Sequence, residues 1–249
     1  MVVVSDLTLM QELERERQQA EHLALIRVLS AGMAHEIRNP LVAIRTFAEL
    51  LPTRWSDDEF RGNFLATARA EIERIDSLLA DLLMLSKPAD AVTEQIDLDK
   101  VCRGVVRVLS ARAEARRVVL DTELQTDGCK PSGDPSRIHQ ALLNVVTNAV
   151  EAEPIGGRVR ICTQNKRDDN GQSIVVVTIH NPNSHIPPDQ LDQIFKPFYS
   201  RRSGGTGLGL AICQTIVEEH NGTISVYSWP NYGTEFSIRL PLDPPDGEQ

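Results

Sequence analysis

The sequence predicts an α+β protein in two parts: an antiparallel helical hairpin that forms a dimeric four-helix bundle, followed by an α/β sandwich. Three observations predict it. Residues 9–86 are almost free of strand signals and rich in Leu, Ala, Glu and Arg. From Ile96 to Leu242, helical and β-patterned segments alternate. Between them, residues 87–95 (Lys-Pro-Ala-Asp-Ala-Val-Thr-Glu-Gln) carry no periodicity and read as a linker that begins where Pro88 stops a helix. With 249 residues, and roughly 150 per domain, the chain has room for one or two real cores.

The hairpin rests on heptads. Leu23, Ile26, Ser30, Met33, Ile37, Pro40, Ile44, Phe47 and Leu51 alternate strictly at three- and four-residue steps, and Leu65, Ala68, Ile72, Ile75, Leu79, Leu82 and Ser86 do the same. Each series is a long helix with a narrow apolar seam. A break is expected at Pro52, and Ser56-Asp57-Asp58-Glu59 has the pattern of a capping box that starts the second helix. Pro40 is expected to kink the first. Two such helices cannot enclose a core alone, so dimerisation buries both seams; a monomeric hairpin lying on the C-terminal part is the alternative.

Beyond the linker, a short strand near Ile96 precedes a helix over 98–116 and a strand over 118–124. A helix over 135–152, strands over 158–163 and 173–179, and a short helix over 188–195 follow. After a Gly-rich loop come a helix over 208–220 and two strands, 223–229 and 234–240, joined as a hairpin at Pro230-Asn231-Tyr232-Gly233. Helix and strand runs are mixed rather than strictly alternating, which favours helices on one face of a sheet. The tail, 243–249, is Pro-, Asp- and Gly-rich and reads as disordered.

Composition narrows the function. Lys and Arg total 26 against 35 for Asp and Glu, a net charge of −9, so no basic stripe for nucleic acid is expected. The longest purely apolar runs, Val2–Val4 and Ile174–Val177, are far short of the ~20 residues of a membrane span. Met1–Val4 lacks the basic and apolar regions of a signal peptide, so a cytoplasmic location is expected, with the full-length sensor either soluble or membrane-attached. Cysteines 102, 129, 162 and 213 form no C-x-x-C pair and read as reduced thiols.

Three segments carry chemistry. His35 falls on the polar face of the first helix, beside Glu36 and one turn before Asn39. An exposed imidazole with a neighbouring carboxylate is a candidate nucleophile, and such pairs are also common on solvated faces. Asn144 and Asn148 share one face of a helix, where their amide oxygens suit Mg²⁺ or phosphate-bound water; two solvated amides would look the same. Gly204-Gly205-Thr206-Gly207-Leu208-Gly209-Leu210 opens a helix, so its N–H groups can turn towards phosphate, with Arg201 and Arg202 just upstream. A flexible loop without ligand is the bland reading.

In combination these segments resemble the motifs of a sensor histidine kinase, a phosphoacceptor and dimerisation hairpin followed by a Bergerat-type ATP-binding domain. The resemblance covers about residues 20–242. Ala34–Leu41 looks like the H-box, Asn144–Ala149 like the N-box, Phe195-Lys196-Pro197-Phe198 like the F-box and Gly205–Leu210 like the G2-box. Gly233-Thr234-Glu235-Phe236 is similar to the last glycine motif. The resemblance implies that His35 accepts the γ-phosphoryl group of ATP with Glu36 as general base. Asn39 would position water against a phosphoaspartate. Asn144 would hold Mg²⁺, Asn148 would contact phosphates, residues 196–206 would form a mobile lid and Thr234 would line the adenine pocket. Phe195, Arg201, Arg202 and the run Gly205, Thr206, Gly207, Leu208 and Gly209 complete the expected nucleotide site. ATP and Mg²⁺ are the implied cofactors, and a response regulator receiver domain and a second copy the implied partners.

One box departs from the pattern. Where the family has Asp-x-Gly-x-Gly-Ile-Pro, this chain has Asn181-Pro182-Asn183-Ser184-His185-Ile186-Pro187. Asn181 can still accept a hydrogen bond from adenine but carries no charge. Neutral hydrogen bonds contribute about 1 kcal/mol less than charged ones, which implies somewhat under tenfold weaker binding. A signalling scaffold that has lost productive ATP use is therefore the rival reading. A Bergerat ATPase without a phosphohistidine is a second, but it leaves the H-box unexplained. Finally, Val2–Thr8 and the charged helix after it are similar to the end of a PAS sensor domain and its signalling helix, so residues 1–22 are expected to belong to a longer sensor. Residues 23–86 then form the phosphotransfer part, 87–95 the linker and 96–242 the ATP-binding part.

Overall fold

The computed structural model describes residues 32, 34, 36–86, 94–126, 128–200 and 205–242. The PAS-like segment, His35, residues 87–93 of the linker, Arg201, Arg202 and the tail after Leu242 lie outside the described residues. The chain divides into two compact units, a helical hairpin and an α/β unit.

In the hairpin, helix α1 occupies 36–54 and helix α2 Asp58–Ser86. Helix α1 runs on through Pro52 instead of breaking there, because a proline in the last turn forfeits only one backbone bond. The cap of α2 is Asp57 rather than Ser56: its Oδ1 accepts the N–H of Phe60 at 3.0 Å. At this end of the hairpin the Phe47 ring packs against Phe60 and Phe64, with centroids 5.7 and 6.1 Å apart.

The heptad seam of α2 splits into two stripes. Ala68 and Ile75 are half-buried, and beside them Leu78 and Phe60 are buried. Leu65, Ile72 and Leu79, seven residues apart, remain 66, 52 and 43% exposed. Leu41 and Leu50 of α1 are exposed as well. A stripe of that length left uncovered by the other described residues of the hairpin suits a second copy. The double variant Ile72→Glu/Leu79→Glu is expected to sediment as a monomer or an aggregate while the wild type sediments as a dimer. An unchanged dimer would place the contact elsewhere.

The α/β unit contains strands β1 (Glu94–Gln95), β2 (Val119–Gln125), β3 (Ser132–Gly133), β4 (Arg158–Arg167), β5 (Ser173–Asn181), β6 (Thr223–Trp229) and β7 (Gly233–Pro241). Its helices are α3 (Leu98–Ala115), α4 (Pro135–Ala152) and α5 (Gly209–Glu219). Strand β1 takes the last two residues of the expected linker and pairs with β3, a two-residue strand too short to show periodicity. The main sheet has the order β2-β4-β5-β7-β6, with β2 and β4 parallel and the other pairs antiparallel. A parallel pair needs a long crossover, and α4 supplies it. That requirement lays α4 over the centre of the sheet, against β4 and β5.

Alternation sets the inner face: Val159 and Ile161 of β4, Val175, Val177 and Ile179 of β5, and Phe236, Ile238 and Leu240 of β7 are all buried. Those of β4 and β5 meet the apolar stripe of α4, formed by Ile138, Ala141, Leu142, Val145, Val146, Ala149 and Val150, while β7 packs against α5. Helix α4 starts on the side chain of Asp134, which accepts the N–H of Ser136 at 2.8 Å, with Pro135 in the first turn. His220, just past α5, ties the two helices together. Its Nε2 accepts the Asp134 N–H at 2.9 Å and its Nδ1 donates to the Ile216 carbonyl at 2.7 Å. Gly133 makes room for that ring, since a Cβ there would lie 2.1 Å from the imidazole.

The helix expected over 188–195 is realised only as a 3-10 turn, Pro188–Gln190, followed by further turns. Two prolines at its start and Pro197 after it leave no room for a helix with its own ladder. Cys102 and Cys213 are buried and free; burial pushes the Cys102 thiol up to about 12 and the Cys213 thiol higher still. Both stay protonated and pack as small apolar side chains.

Candidate functional site

The strand register builds the first part of the site. Asn181 on β5 lies opposite Thr234 on β7, and Thr234 lies opposite Ser228 on β6. All three sit on inward positions at one end of the sheet and are buried, at 1, 1 and 5% exposure. Their hydroxyls form one network. Ser228 Oγ and Thr234 Oγ1 are 3.0 Å apart, Thr234 Oγ1 donates to the Ser184 carbonyl at 3.2 Å, and Ser228 Oγ accepts the Ile186 N–H at 2.8 Å. His185 Nδ1 lies 3.2 Å from the same Ser228 oxygen. The loop that departs from the family pattern is thus fastened to β6 and β7.

A second fastening comes from α4. Glu153, buried at its C-terminal end, accepts both the backbone N–H of Asn183 at 3.1 Å and its side-chain amide at 2.9 Å. Neither Asn183 nor His185 is among the non-glycine residues with positive φ, so the two missing glycines are not needed for backbone freedom here.

Asn181 itself is oriented by α4. Its Nδ2 donates to the Ala149 carbonyl at 3.4 Å, and its Oδ1 is buried with no partner among the described residues. An unpaired acceptor in the interior costs free energy unless something supplies a donor. The 6-amino group of adenine is such a donor. Phe195 closes this end of the core edge-on against Phe236, with centroids 6.5 Å apart.

In the residues leading up to Ala149, the N-box amides Asn144 and Asn148 stand at the rim of α4, half-buried. Asn144 Nδ2 donates to the Gly209 carbonyl at 3.0 Å, and its Oδ1 accepts the side-chain amide of Gln140 at 3.3 Å, a neutral donor that an ion can displace. Among the described residues no three His, Cys, Asp or Glu side chains gather to cage a metal. A neutral oxygen at the edge of a phosphate site suits Mg²⁺ that arrives with its nucleotide, retaining phosphate and water ligands. Asn144 therefore fits the ion, and the neighbouring Asn148 stands at i+4 on the same face.

The Gly-rich loop enters α5 through a tight contact. Gly207 has φ +67 and lies against Phe198, whose own φ is +65; a Cβ on Gly207 would come 2.5 Å from the Phe198 carbonyl carbon. Leu208 is fully buried and anchors the loop, while Gly205 and Thr206 precede it half-buried. Glu36 and Asn39 lie on α1, and the Glu36 carboxylate pairs with Arg74 of α2 at 2.7 Å. Sequence reasoning missed Arg74, Glu153, the Ala149 carbonyl and Ser228. Only Ser228 left a signal, as a polar residue in the apolar alternation Ile224, Val226, Ser228.

Two family models match this chain. Residues 25–90 match the His Kinase A (phospho-acceptor) domain, and residues 133–244 match the histidine kinase-, DNA gyrase B- and HSP90-like ATPase. The chain is 34% identical over 230 residues to sporulation kinase C of Bacillus subtilis, covering 92% of this chain and 52% of that protein. It is 34% identical over 244 residues to the signal transduction histidine-protein kinase AtoS of Escherichia coli, covering 98% and 39% respectively. Among solved structures, histidine kinase ThkA in complex with the response regulator protein TrrA matches with a TM-score of 0.78 and 26% identity, over 95% of this chain and 67% of that one.

The chain belongs to the sensor histidine kinases. It spans 52% and 39% of the two curated relatives just named, so it represents their kinase core. The match to the ATPase model covers every element that builds the site on the sheet, from β3 to β7. Among the described residues of this kinase core, no helix is long and apolar enough to cross a membrane.

The Ala149 carbonyl gives a physical reason for asparagine at position 181 in this histidine kinase. An aspartate there would set a carboxylate oxygen against a carbonyl oxygen in the interior, where the amide now donates. Asn181→Asp is therefore expected to lower the unfolding free energy in urea by about 1–3 kcal/mol. Asn181→Ala is expected to weaken ATP binding by about 0.5–1.5 kcal/mol, roughly two- to tenfold, in calorimetric titration. Unchanged affinity in Asn181→Ala would mean that another group reads the base.

Proposed function

We propose that this kinase core transfers the γ-phosphoryl group of ATP to His35 and then to an aspartate of a response regulator receiver domain. It does so as a cytoplasmic homodimer. The observation that carries the reading is the unpaired, buried Oδ1 of Asn181, an acceptor oriented to take an adenine amino group. In the same unit, the Asn144 amide and the glycine-lined entrance to α5 supply what a triphosphate needs.

Residue roles follow from these chemistries. Thr234 and Ile186 line the base site, Asn148 contacts phosphate, and Arg201 and Arg202 add positive charge. The backbone N–H groups of the Gly205–Gly209 run cradle the phosphates. Mg²⁺, held by Asn144 together with the nucleotide, would neutralise phosphate charge. One ring nitrogen of His35 attacks the γ-phosphorus with its lone pair, and ADP leaves with the electrons of the broken P–O bond. The other ring nitrogen gives its proton to the Glu36 carboxylate, which leaves a neutral phosphoimidazole ring. Because the transition state is loose, little covalent help is required of the protein beyond positioning and charge neutralisation.

Incubation with γ-labelled ATP and Mg²⁺ tests the reading. Wild type is expected to acquire acid-labile, base-stable label, and His35→Gln to acquire none while still binding nucleotide. Label retained in His35→Gln would move the acceptor elsewhere. No ATP binding by the wild type at millimolar concentration would favour a non-catalytic scaffold, the reading that the altered 181–187 loop suggests.

Asn39, one turn beyond His35 and exposed on α1, is placed to hold the water that hydrolyses a docked phosphoaspartate. Asn39→Ala is expected to autophosphorylate normally and to dephosphorylate the partner more slowly. Equal dephosphorylation rates in the two proteins would remove the amide from the mechanism.

A further inference from the structure

The hairpin holds a cluster of charges that none of the roles above uses. Arg74, in the middle of α2, reaches across to α1, where its Nη2 donates to Oε2 of Glu36 at 2.7 Å. Both side chains are largely buried, with exposures of 21 and 23%. One turn back on α2, Oε2 of Glu71 lies 3.9 Å from the Arg74 Nη1. Among the described residues, that Glu71 oxygen and the Arg74 Nε are both buried without a hydrogen-bond partner. A cation sits between two carboxylates and is bonded to one.

We propose that Arg74 is a positioning residue for phosphoryl transfer, holding the Glu36 carboxylate by one oxygen so that the other is presented as the base for His35. The proposal rests on the roles given above to His35 and Glu36. A glutamate on a helix surface has several free torsions, and a base that wanders by an ångström or so forfeits much of its effect. The guanidinium removes that freedom through a charge-assisted bond from the opposite helix. The bond it makes is to Oε2. When Glu36 takes the imidazole proton its negative charge disappears and its hold on Arg74 weakens. Removing the Glu71 charge leaves Arg74 with one anionic partner, Glu36.

The test is a double-mutant cycle on the rate of labelling from γ-labelled ATP, with the dimer verified by sedimentation. Loss of a general base slows transfer by roughly a hundredfold or more. Glu36→Gln is expected to show that loss, and Arg74→Gln a loss of about ten- to a hundredfold in kcat, with the KM for ATP unchanged. Arg74→Lys is expected to recover most of the rate. In the Glu36→Gln background, Arg74→Gln is expected to add nothing, because the residue acts through the carboxylate. Glu71→Gln, which leaves Arg74 itself intact, is expected to label at the wild-type rate or faster.

Multiplicative losses in the double variant, a wild-type rate in Arg74→Gln, or a tenfold slower Glu71→Gln would each overturn the proposal. A Glu36→Gln variant that labels at the wild-type rate would overturn the role of Glu36 and this proposal with it. A slow Glu36→Gln beside an unimpaired Arg74→Gln would overturn this proposal alone.

Discussion

The pairing of Asn181 with Thr234, and of Thr234 with Ser228, is the constraint on which the nucleotide site depends. Side chains on a strand alternate between faces, so a slip of one residue between β5 and β7 would take Thr234 out of the interior and put Glu235 in its place. The apolar residues guard against that slip: Val175, Val177 and Ile179 must face inward together with Asn181, and Phe236, Ile238 and Leu240 together with Thr234. Core packing and the candidate base site are therefore specified by the same register. The polar end of the sheet is tolerated because each hydroxyl there is paired, with the Asn181 oxygen as the exception among the described residues.

Helix α4 transmits that register to the rest of the site. It is laid across the sheet by the crossover between the parallel strands β2 and β4, and it presents three different groups along its length. The Asn144 amide grips the first residue of α5, the Ala149 carbonyl turns the Asn181 amide, and the Glu153 carboxylate clamps Asn183. The altered loop is then a coherent substitution. With a neutral amide at 181 the nearby backbone carbonyl becomes a partner instead of a repulsion, and with side chains at 183 and 185 the loop gains two fastenings.

Much of this was legible in the sequence, for physical reasons that also explain what was not. Strands β6 and β7 and helix α4 follow strong alternation, caps and a Pro-Asn-Tyr-Gly turn, all local signals, and they lie within a residue of where those signals put them. The motifs on α4 and at the start of α5 were readable because their residue types are unusual on a helix face or at a helix entrance. The clamp by Glu153 was not readable, because a glutamate at a helix end beside Pro154 has no pattern of its own until the fold brings Asn183 to it. Arg74 was hidden in the same way: its partner is 38 residues away, and along α2 it looks like one more solvated charge. The break expected at Pro52 failed because proline disrupts a helix by what it removes upstream, and in a last turn there is little left to remove.

The hairpin obeys a different economy from the sheet unit. Among its described residues only Pro40, Phe60 and Leu78 are buried, while leucines and an isoleucine at heptad spacing stay open. Two helices with so little interior gain too little apolar burial to offset the entropy of ordering them. A second copy would supply the missing burial, and folding of the hairpin and dimerisation would then be one event. The Glu36–Arg74 bridge crosses between α1 and α2, so it is sensitive to how those helices are rotated against each other. Any rotation that repacks the Leu65–Ile72–Leu79 stripe across a dimer also moves Arg74 relative to Glu36, since all four residues of α2 turn as one rigid rod. On the proposed role of Glu36, self-association and the setting of the base are coupled through a single helix.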